Sequence, residues 1–441
     1  MDTKSLEIVM FNMSSFSEWE GGIVNRNYHI FNKLSQDEKV KRIIAVDFLP
    51  FTFKRALRNY LENILKTKNY KSNADIKVTN IYRDFTTKCV KIVGLAPAEI
   101  YVFSSIDSIF TRPNFLKKNL GGFSSHQIVI KKLNKILVKI NKNQPEKTKR
   151  VIWSYFPMFV DYFSAQGRSA SGGNGIPADL TIFDAVDNWI EHPSFARYKK
   201  LLEKNYEIIA QKSDLIFTVA DNLVEFFKNL GRKKDVYWIA NGVEPKHFAK
   251  EQSVLKNDPI LMIPRPIIGY IGTIQNRVDF NLLEYLAQQN PEKSFVLIGP
   301  LWPVFLRKLR RPTTEIRKLK KYKNIHLLGR RPYDLTPAYI KFFDVAINPH
   351  KLDEFIKYTD SLKVLEYLAC GMPVVTTPPS GVEKFSHLLY IAADYQDFNK
   401  NIETALAENQ AELKEKRIQR IKEEDWDNKL LEMMNILKTK I

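Results

Sequence analysis

Short apolar runs recur along this chain, separated by segments with helical spacing. The first is Leu6–Phe11, followed by a polar loop and an apolar repeat of three to four residues from Val24 to Leu34, which predicts a strand and then a helix. Further β-branched or aromatic runs lie at Arg42–Asp47, Ile100–Phe103, Val151–Tyr155, Leu180–Asp184, Leu215–Val219 and Val236–Ile239. These runs are continuously apolar rather than alternating, as expected of parallel strands covered on both faces. Helical patterns at Phe195–Lys212 and Leu223–Leu230 supply such covers.

After Asn241-Gly242-Val243 the periodicity stops, and Pro245, Pro259, Pro264 and Pro266 fall close together, a density that predicts a linker. A second alternating series then begins: Ile267–Ile271, Phe295–Ile298, Ile325–Leu328, Val345–Asn348, Val374–Thr376 and Leu389–Ile391, with helical spacing between them. Asp397–Ile441 is charged and periodic, as in a helix packed on the outside. The expected class is therefore α/β, with two parallel-sheet domains at 1–245 and 246–418. A terminal helix at 419–441 has a return to the first domain as one course open to it.

A chain of 441 residues with 44% apolar and 12% aromatic residues can bury large cores, which excludes disorder as its main state. No apolar run approaches the roughly 20 residues that span a bilayer. Met1–Asn12 carries Asp2 and Glu7 around a short apolar run without a small-residue cleavage site, so it does not read as a signal peptide. Cys89 and Cys370 are too few for a disulfide framework or a four-ligand zinc site, which fits a reducing, cytoplasmic location.

The net charge of +19 favours an anionic partner: nucleic acid, a phosphorylated small molecule or acidic lipid headgroups. The charge is uneven, since Phe115–Arg150 holds ten basic residues against one acidic. Ile128, Val129, Leu133, Ile136, Leu137 and Ile140 recur among those lysines. The pattern suits either an amphipathic helix lying on the inner face of an anionic membrane or a core-facing helix with solvated lysines. Arg307–Lys323 reads as a solvated helix face, and Ser164–Pro177, rich in glycine and serine, as a mobile loop.

The segment from Asp360 to Val375 carries the most chemistry. A polar turn opens a short helix, the helix closes on Gly371, and Pro373 leads into a strand. Helix-start amides attract phosphate, and such sites lie beyond the C-terminal ends of parallel strands. Lys363 in the first turn adds a full charge, and Glu366, one turn on, offers a carboxylate to ribose hydroxyls. Read by spacing alone, the two also fit an ordinary surface Lys–Glu pair.

The wording of this segment, with Ser361-Leu362-Lys363, Glu366-Tyr367-Leu368-Ala369, Gly371 and Pro373-Val374-Val375, resembles the nucleotide-binding signature of the bacterial group 1 glycosyltransferases of GT-B fold. The resemblance continues in family order elsewhere: Glu20-Gly21-Gly22 with Arg26 and His29, Thr181 to Trp189, Ser213 to Ala220, and Ile239 to Val243. In the second half it takes in Ile268 to Ile274 with Arg277 and Asp279, and Val296 to Pro300. The paired aspartates ahead of Trp189 are similar to those of transferases that build cell-surface polysaccharides such as teichuronic acid.

The resemblance implies two Rossmann-like domains facing a central cleft, with a nucleotide-sugar donor held mainly by the second. It implies that Lys363 and the amides of Ser361, Leu362 and Lys363 meet the diphosphate, that Glu366 meets the ribose, and that Arg277 is a phosphate-binding cation. Thr273 and Arg330 join the donor site, Arg330 from the segment Leu328–Tyr333 where relatives hold the base through backbone groups. Tyr358 stands where many members carry the first of two glutamates separated by seven residues; Asp353 and Glu354 have the wrong spacing. The donor-sugar contacts and the choice between retention and inversion therefore stay open.

In the first domain Gly21 and Gly22 let the backbone approach a diphosphate or sugar, with Arg26 and His29 on the next helix. Asp184 and Asp187 end a strand and are the catalytic candidates, Asp187 preferred, although Asp187 also suits a helix N-cap. Trp189 fits a sugar-stacking face or a buried position. The implied activity is metal-independent transfer of a hexosyl group from a nucleoside-diphosphate sugar, UDP favoured, to a saccharide or lipid-linked acceptor in cell-surface polysaccharide synthesis. No acidic pair in a metal-binding context and no His/Cys cluster is found, so no metal or other cofactor is expected. A GT-B nucleotide-sugar epimerase would need further acidic and histidine groups in the cleft, and a basic nucleic-acid-binding module lacks a recognised motif.

Overall fold

The computed structural model describes residues 6–65, 76–111, 125–142, 148–160, 175–301, 314–378, 381–408 and 410–441. The chain divides into two compact units: Met1–Thr218, Leu223–Ile239 and Leu430–Ile441 form the first, and Val219–Asn222 with Ala240–Lys429 form the second.

The first unit is built on a nine-stranded sheet of β1 (Leu6–Phe11), β2 (Val40–Val46), β3 (Lys77–Arg83), β4 (Thr87–Val93), β5 (Glu99–Ser105), β6 (Lys149–Ser154), β7 (Leu180–Ala185), β8 (Leu215–Thr218) and β9 (Val236–Trp238). Their order is β3-β4-β5-β2-β1-β6-β7-β8-β9. Every residue of the central β1 is buried, and Ile8 lies opposite Ile43 of β2 and Val151 of β6 in parallel register. The apolar runs of the sequence become these inner strands. The β3–β4 hairpin, antiparallel to its neighbours through β4, is the part the pattern does not show. Lys77 to Asn80 are exposed at the sheet edge, so β3 needs no apolar face, and polar edges of this kind discourage pairing with other chains.

Helix Ser125–Asn141 decides between the two readings of the lysine-rich segment. Val129, Ile130, Leu133, Ile136 and Leu137 are all buried in the unit core, while Lys132 reaches Asp84 and Asp107 at 2.8 and 2.7 Å. Its apolar side therefore turns mostly to the core, as in the core-facing reading, while Ile128 and Val138 are exposed. The remainder of the basic segment at 112–124 and 143–147, most of Ser164–Pro177, and the first part of Arg307–Lys323 lie outside the described residues.

The second unit holds a six-stranded, wholly parallel sheet: β10 (Ile267–Ile271), β11 (Ser294–Ile298), β12 (Ile325–Gly329), β13 (Val345–Asn348), β14 (Val374–Thr376) and β15 (Tyr390–Ile391), in the order β12-β11-β10-β13-β14-β15. One face packs on a core that includes Phe343, Val364, Tyr367 and Leu368, and the other on a core that includes Leu282, Leu283, Phe398 and Ile402. Gly269 in β10 faces Phe343 so closely that any Cβ would overlap the ring. The proline-dense segment is no linker. Pro245 and Pro259 sit in the first turns of helix Pro245–Ala249 and of a 3₁₀ turn at Pro259–Met262, positions where a missing N–H costs nothing, and Phe248 and Ile260 are fully buried in the second unit.

Candidate functional site

The second unit gathers its unusual groups at the C-terminal edge of β10, β11 and β13, where open parallel sheets place ligands. β10 is followed at once by Gly272 and β11 by Gly299, both with φ of +149°, a region that L side chains rarely adopt. The Gly272 amide donates to Ile298 O at 2.8 Å and the Gly299 amide to Gly329 O at 2.9 Å. A Cβ on Gly299 would overlap the Gly272 carbonyl, and a Cβ on Gly272 would overlap Cε of Lys363. Gly272 thus leaves room for the Lys363 side chain, and Gly299 leaves room for the backbone of Gly272.

Lys363 comes from helix Leu362–Ala369, whose N-cap is Ser361. The helix is tied to the strand by Tyr367, whose hydroxyl accepts from the Ile271 amide at 2.9 Å, one turn after Lys363 on the same face. Lys363 Nζ lies 5.7 Å from the centroid of the buried Tyr270 ring. Ser361 is 7% exposed, makes no side-chain cap bond, and its Oγ has no hydrogen-bond partner. A serine at this position ordinarily spends its hydroxyl on a helix-start amide. Here the hydroxyl is unspent.

Arg277 is held by the loop after β10. Lys351 N donates to Arg277 O at 2.9 Å, Asp279 N donates to Pro349 O at 2.8 Å, and Val278 bridges to His350. The guanidinium packs 5.3 Å from the Phe355 ring centroid. Among the described residues the side chains of Lys363, Arg277 and Glu366 form no ion pair, although they sense one another. Burial and the Arg277 charge push the Lys363 ammonium down, while burial and the charge of Glu244 push the Glu366 carboxyl up against the pull of Lys363. Cations that feel one another's charge with no carboxylate in ion-pair contact are destabilising on their own and favourable for a phosphate-bearing ligand.

The other expected donor residues lie around this edge. Thr273 follows Gly272, its carbonyl accepting from the Tyr270 hydroxyl at 3.1 Å. Tyr358 ends a 3₁₀ turn at Ile356–Tyr358 and is half-buried. Arg330 is exposed after β12, whereas its neighbour Arg331 is spent on Asp258, Tyr339 and Leu328 O. His350 joins the group although the sequence reading passed over it. Its signal was its place two residues beyond β13, the same kind of strand end that directed attention to Asp184.

In the first unit the expected residues are brought together differently. Gly21 and Gly22 close the short helix Phe16–Glu20, with Gly22 at φ +82° and its amide donating to Trp19 O. Arg26, 2% exposed, donates to Asp184 at 2.9 Å and to Ile239 O at 2.9 Å, and Trp153 Nε1 donates to the other Asp184 oxygen at 3.3 Å. Asp184 is completely buried, and that burial raises its pKa while Arg26 holds it down. This pair is built into the core, which leaves Asp184 without an open face for a hydroxyl and Arg26 engaged with protein. His29 is likewise buried, beside Tyr28. No helix starts at Asp187, and the next one, the 3₁₀ helix Pro193–Tyr198, is capped by His192; the Asp187 carbonyl accepts from the Tyr206 hydroxyl at 3.0 Å. Trp189 sits in an aromatic cluster with Phe156, His192 and Phe195. Among the described residues no three His, Cys, Asp or Glu side chains gather as metal ligands.

Residues 265–408 match the family described as glycosyl transferases group 1. The chain is 27% identical over 263 residues to the Bacillus subtilis (strain 168) protein named as the teichuronic acid biosynthesis glycosyltransferase TuaH, a match that covers 56% of this chain and 64% of that one, less than two thirds of the relative's length. Among solved structures, Anabaena HepE in complex with UDP aligns over 99% of this chain and 100% of its own, with 13% identity and a TM-score of 0.57. The α,α-trehalose 6-phosphate synthase of Burkholderia multivorans aligns over 99% and 98%, with 13% identity and a TM-score of 0.63. Sucrose-phosphate synthase of Thermosynechococcus elongatus aligns over 99% of both chains, with 12% identity and a TM-score of 0.62. At these identities the structures speak for the fold alone. Residues 265–408 are a glycosyl transferase group 1 domain, and the chain's two parallel-sheet α/β units are those of the GT-B fold.

Proposed function

We propose that this chain transfers a hexosyl group from a nucleoside-diphosphate sugar, with UDP the favoured nucleotide, to a saccharide or lipid-linked acceptor in the synthesis of a cell-surface polysaccharide. The observation that carries the reading is that Lys363 and Arg277, cations that feel one another's charge and make no ion pair among the described residues, lie at a strand edge where Gly272 leaves room for the Lys363 side chain and a helix starts without a side-chain cap. As the anomeric C–O bond breaks, its electron pair goes to the β-phosphate oxygen. Fixed cations and helix-start amides stabilise that charge without having to reorganise. This needs no metal. Glu366 accepts hydrogen bonds from the ribose, while Thr273, Tyr358 and Arg330 border the donor.

The acceptor hydroxyl forms the new bond to the anomeric carbon and gives up its proton, to Asp187 in an inverting reaction or to the leaving phosphate in a retaining one. Asp184 and Arg26 serve by holding the first unit together. The UDP preference is supported by Anabaena HepE, solved with UDP, with UDP-glucose, and with UDP and glucose. The surface-polysaccharide setting is supported by the TuaH relative.

Peripheral contact with an anionic membrane belongs to the same reading, and a different helix supports it from the one the sequence suggested. Phe53, Leu57, Leu61 and Leu65, four residues apart along Phe53–Leu65, are 69%, 42%, 47% and 45% exposed. No helix of the described residues is long and apolar enough to cross a bilayer.

The test is binding and turnover with a panel of UDP-, GDP- and dTDP-sugars. Lys363→Ala and Glu366→Ala are each expected to weaken UDP binding by roughly 10- to 100-fold, the worth of a charge-assisted hydrogen bond, with the fold intact by circular dichroism. Unchanged affinity in both variants would remove their assigned roles, and a chain that binds no nucleoside diphosphate would remove the transferase reading itself.

A further inference from the structure

His350 is the least comfortable residue in the second unit. It is 3% exposed, and neither ring nitrogen has a hydrogen-bond partner. Buried polar groups are almost always satisfied, and an imidazole with two idle nitrogens calls for an explanation. Burial and the charges of Lys363 and Arg277 push its pKa well below the usual value, so the ring is neutral and carries one N–H donor and one acceptor.

Its position is not an accident of a loose loop. The His350 amide donates to Asn348 O at 3.0 Å, Val278 bridges to it from the loop after β10, and the residues on either side, Pro349 and Lys351, bond to Asp279 and Arg277 at 2.8 and 2.9 Å. The backbone therefore clamps His350 to the loop that carries Arg277. One more buried polar atom near this edge is idle, the Ser361 hydroxyl. Two buried groups able to donate, the imidazole N–H and this hydroxyl, left unpaired where the charges of Lys363 and Arg277 are felt, match a partner that is an anion with several acceptor oxygens.

We infer that His350 is a donor-binding residue, its imidazole N–H donating to a diphosphate oxygen of the nucleotide held between Arg277 and Lys363. This rests on the donor reading given above and adds a third, uncharged ligand to the phosphates. An uncharged donor suits a place where two cations already stand. It grips the diphosphate by geometry without adding to the repulsion that the empty site bears.

The test compares His350→Phe, which keeps the ring's bulk, with His350→Gln, which keeps an N–H donor. The parent and both variants are titrated with UDP and with uridine, followed by ligand-observed saturation transfer, which reads millimolar affinities. The phenylalanine variant is expected to bind UDP roughly tenfold more weakly with uridine unchanged, and the glutamine variant to stay within about threefold of the parent for both. Full UDP affinity in the phenylalanine variant would mean that His350 only fills space. An equal loss for UDP and uridine would mean general distortion, and either result overturns the inference. A parent chain that fails to bind UDP, GDP or dTDP is a separate outcome, in which the donor reading falls and takes this inference with it.

Discussion

On the proposed donor reading, Lys363 has to be a cation in surroundings that make it a poor one. Burial comes first among the causes and the Arg277 charge second, and together they push its pKa down to about 8, against a partial restoring pull from Glu366. The sign of the pH dependence follows. A lysine whose folded pKa is lowered binds fewer protons folded than unfolded between about 8 and the usual 10.4, so its burial weighs on stability below that window and is relieved as pH rises through it. Ligand affinity runs the other way. A diphosphate needs the ammonium charged, and each pH unit above about 8 costs up to roughly tenfold in binding. UDP affinity is therefore expected to hold between pH 7 and 8 and to fall from 8 to 9, as read by isothermal titration. In Lys363→Arg, whose guanidinium keeps its proton throughout, the fall should vanish even if the absolute affinity changes. A parent profile flat to pH 9 would show that Lys363 stays fully charged in the empty site.

At the scale of elements, what was legible in the sequence is what a period can encode. The inner strands β1, β10, β13 and β14 announce themselves because residues buried on two faces must all be apolar, and helix Leu362–Ala369 is bounded by its own serine and glycine. Gly272 and Lys363 could be found separately but not as neighbours, because their contact depends on a strand and a helix 90 residues apart being tied by Tyr367. His350 was missed for the same reason, since nothing local says that a histidine is buried without partners. The hairpin of β3 and β4 gave little signal because its outer strand buries nothing.

The two amphipathic helices show where the pattern misleads. Ser125–Asn141 and Phe53–Leu65 both alternate basic with apolar residues, and only the packing says that the first turns its apolar side to the core while the second leaves Phe53, Leu57, Leu61 and Leu65 uncovered by described residues. An exposed stripe of this length, next to Lys54, suits the headgroup boundary of an anionic bilayer. Co-sedimentation with vesicles containing phosphatidylglycerol is expected to carry the protein down at low salt, and the double variant Leu57→Glu with Leu61→Glu to leave most of it in solution. A double variant that sediments like the parent would assign the contact to another surface.

For the molecule as a whole, most of the net charge of +19 lies outside the proposed donor site, to which the reading above assigns Lys363, Arg277 and Arg330, and many other cations are paired with carboxylates. The two units carry different burdens. Every residue proposed for the donor site lies in the second, whereas the first contains a completely buried aspartate, Asp184, paired with Arg26 at 2.9 Å. Ligand binding stabilises only what binds it, so UDP at about 100 times its dissociation constant adds about 2.7 kcal/mol to the second unit, or roughly 5–10 °C in its melting temperature. Removing the guanidinium in Arg26→Ala leaves a buried carboxylate uncompensated, at a cost of about 3–5 kcal/mol to the first. Calorimetry is therefore expected to resolve two transitions, with UDP raising one and Arg26→Ala lowering the other. The two effects should add in the liganded variant, because the groups responsible share no partner. One transition moved by both changes would mean that the units unfold as a single cooperative body, and an Arg26→Ala chain with weakened UDP affinity would mean that the first unit contributes to the donor site after all.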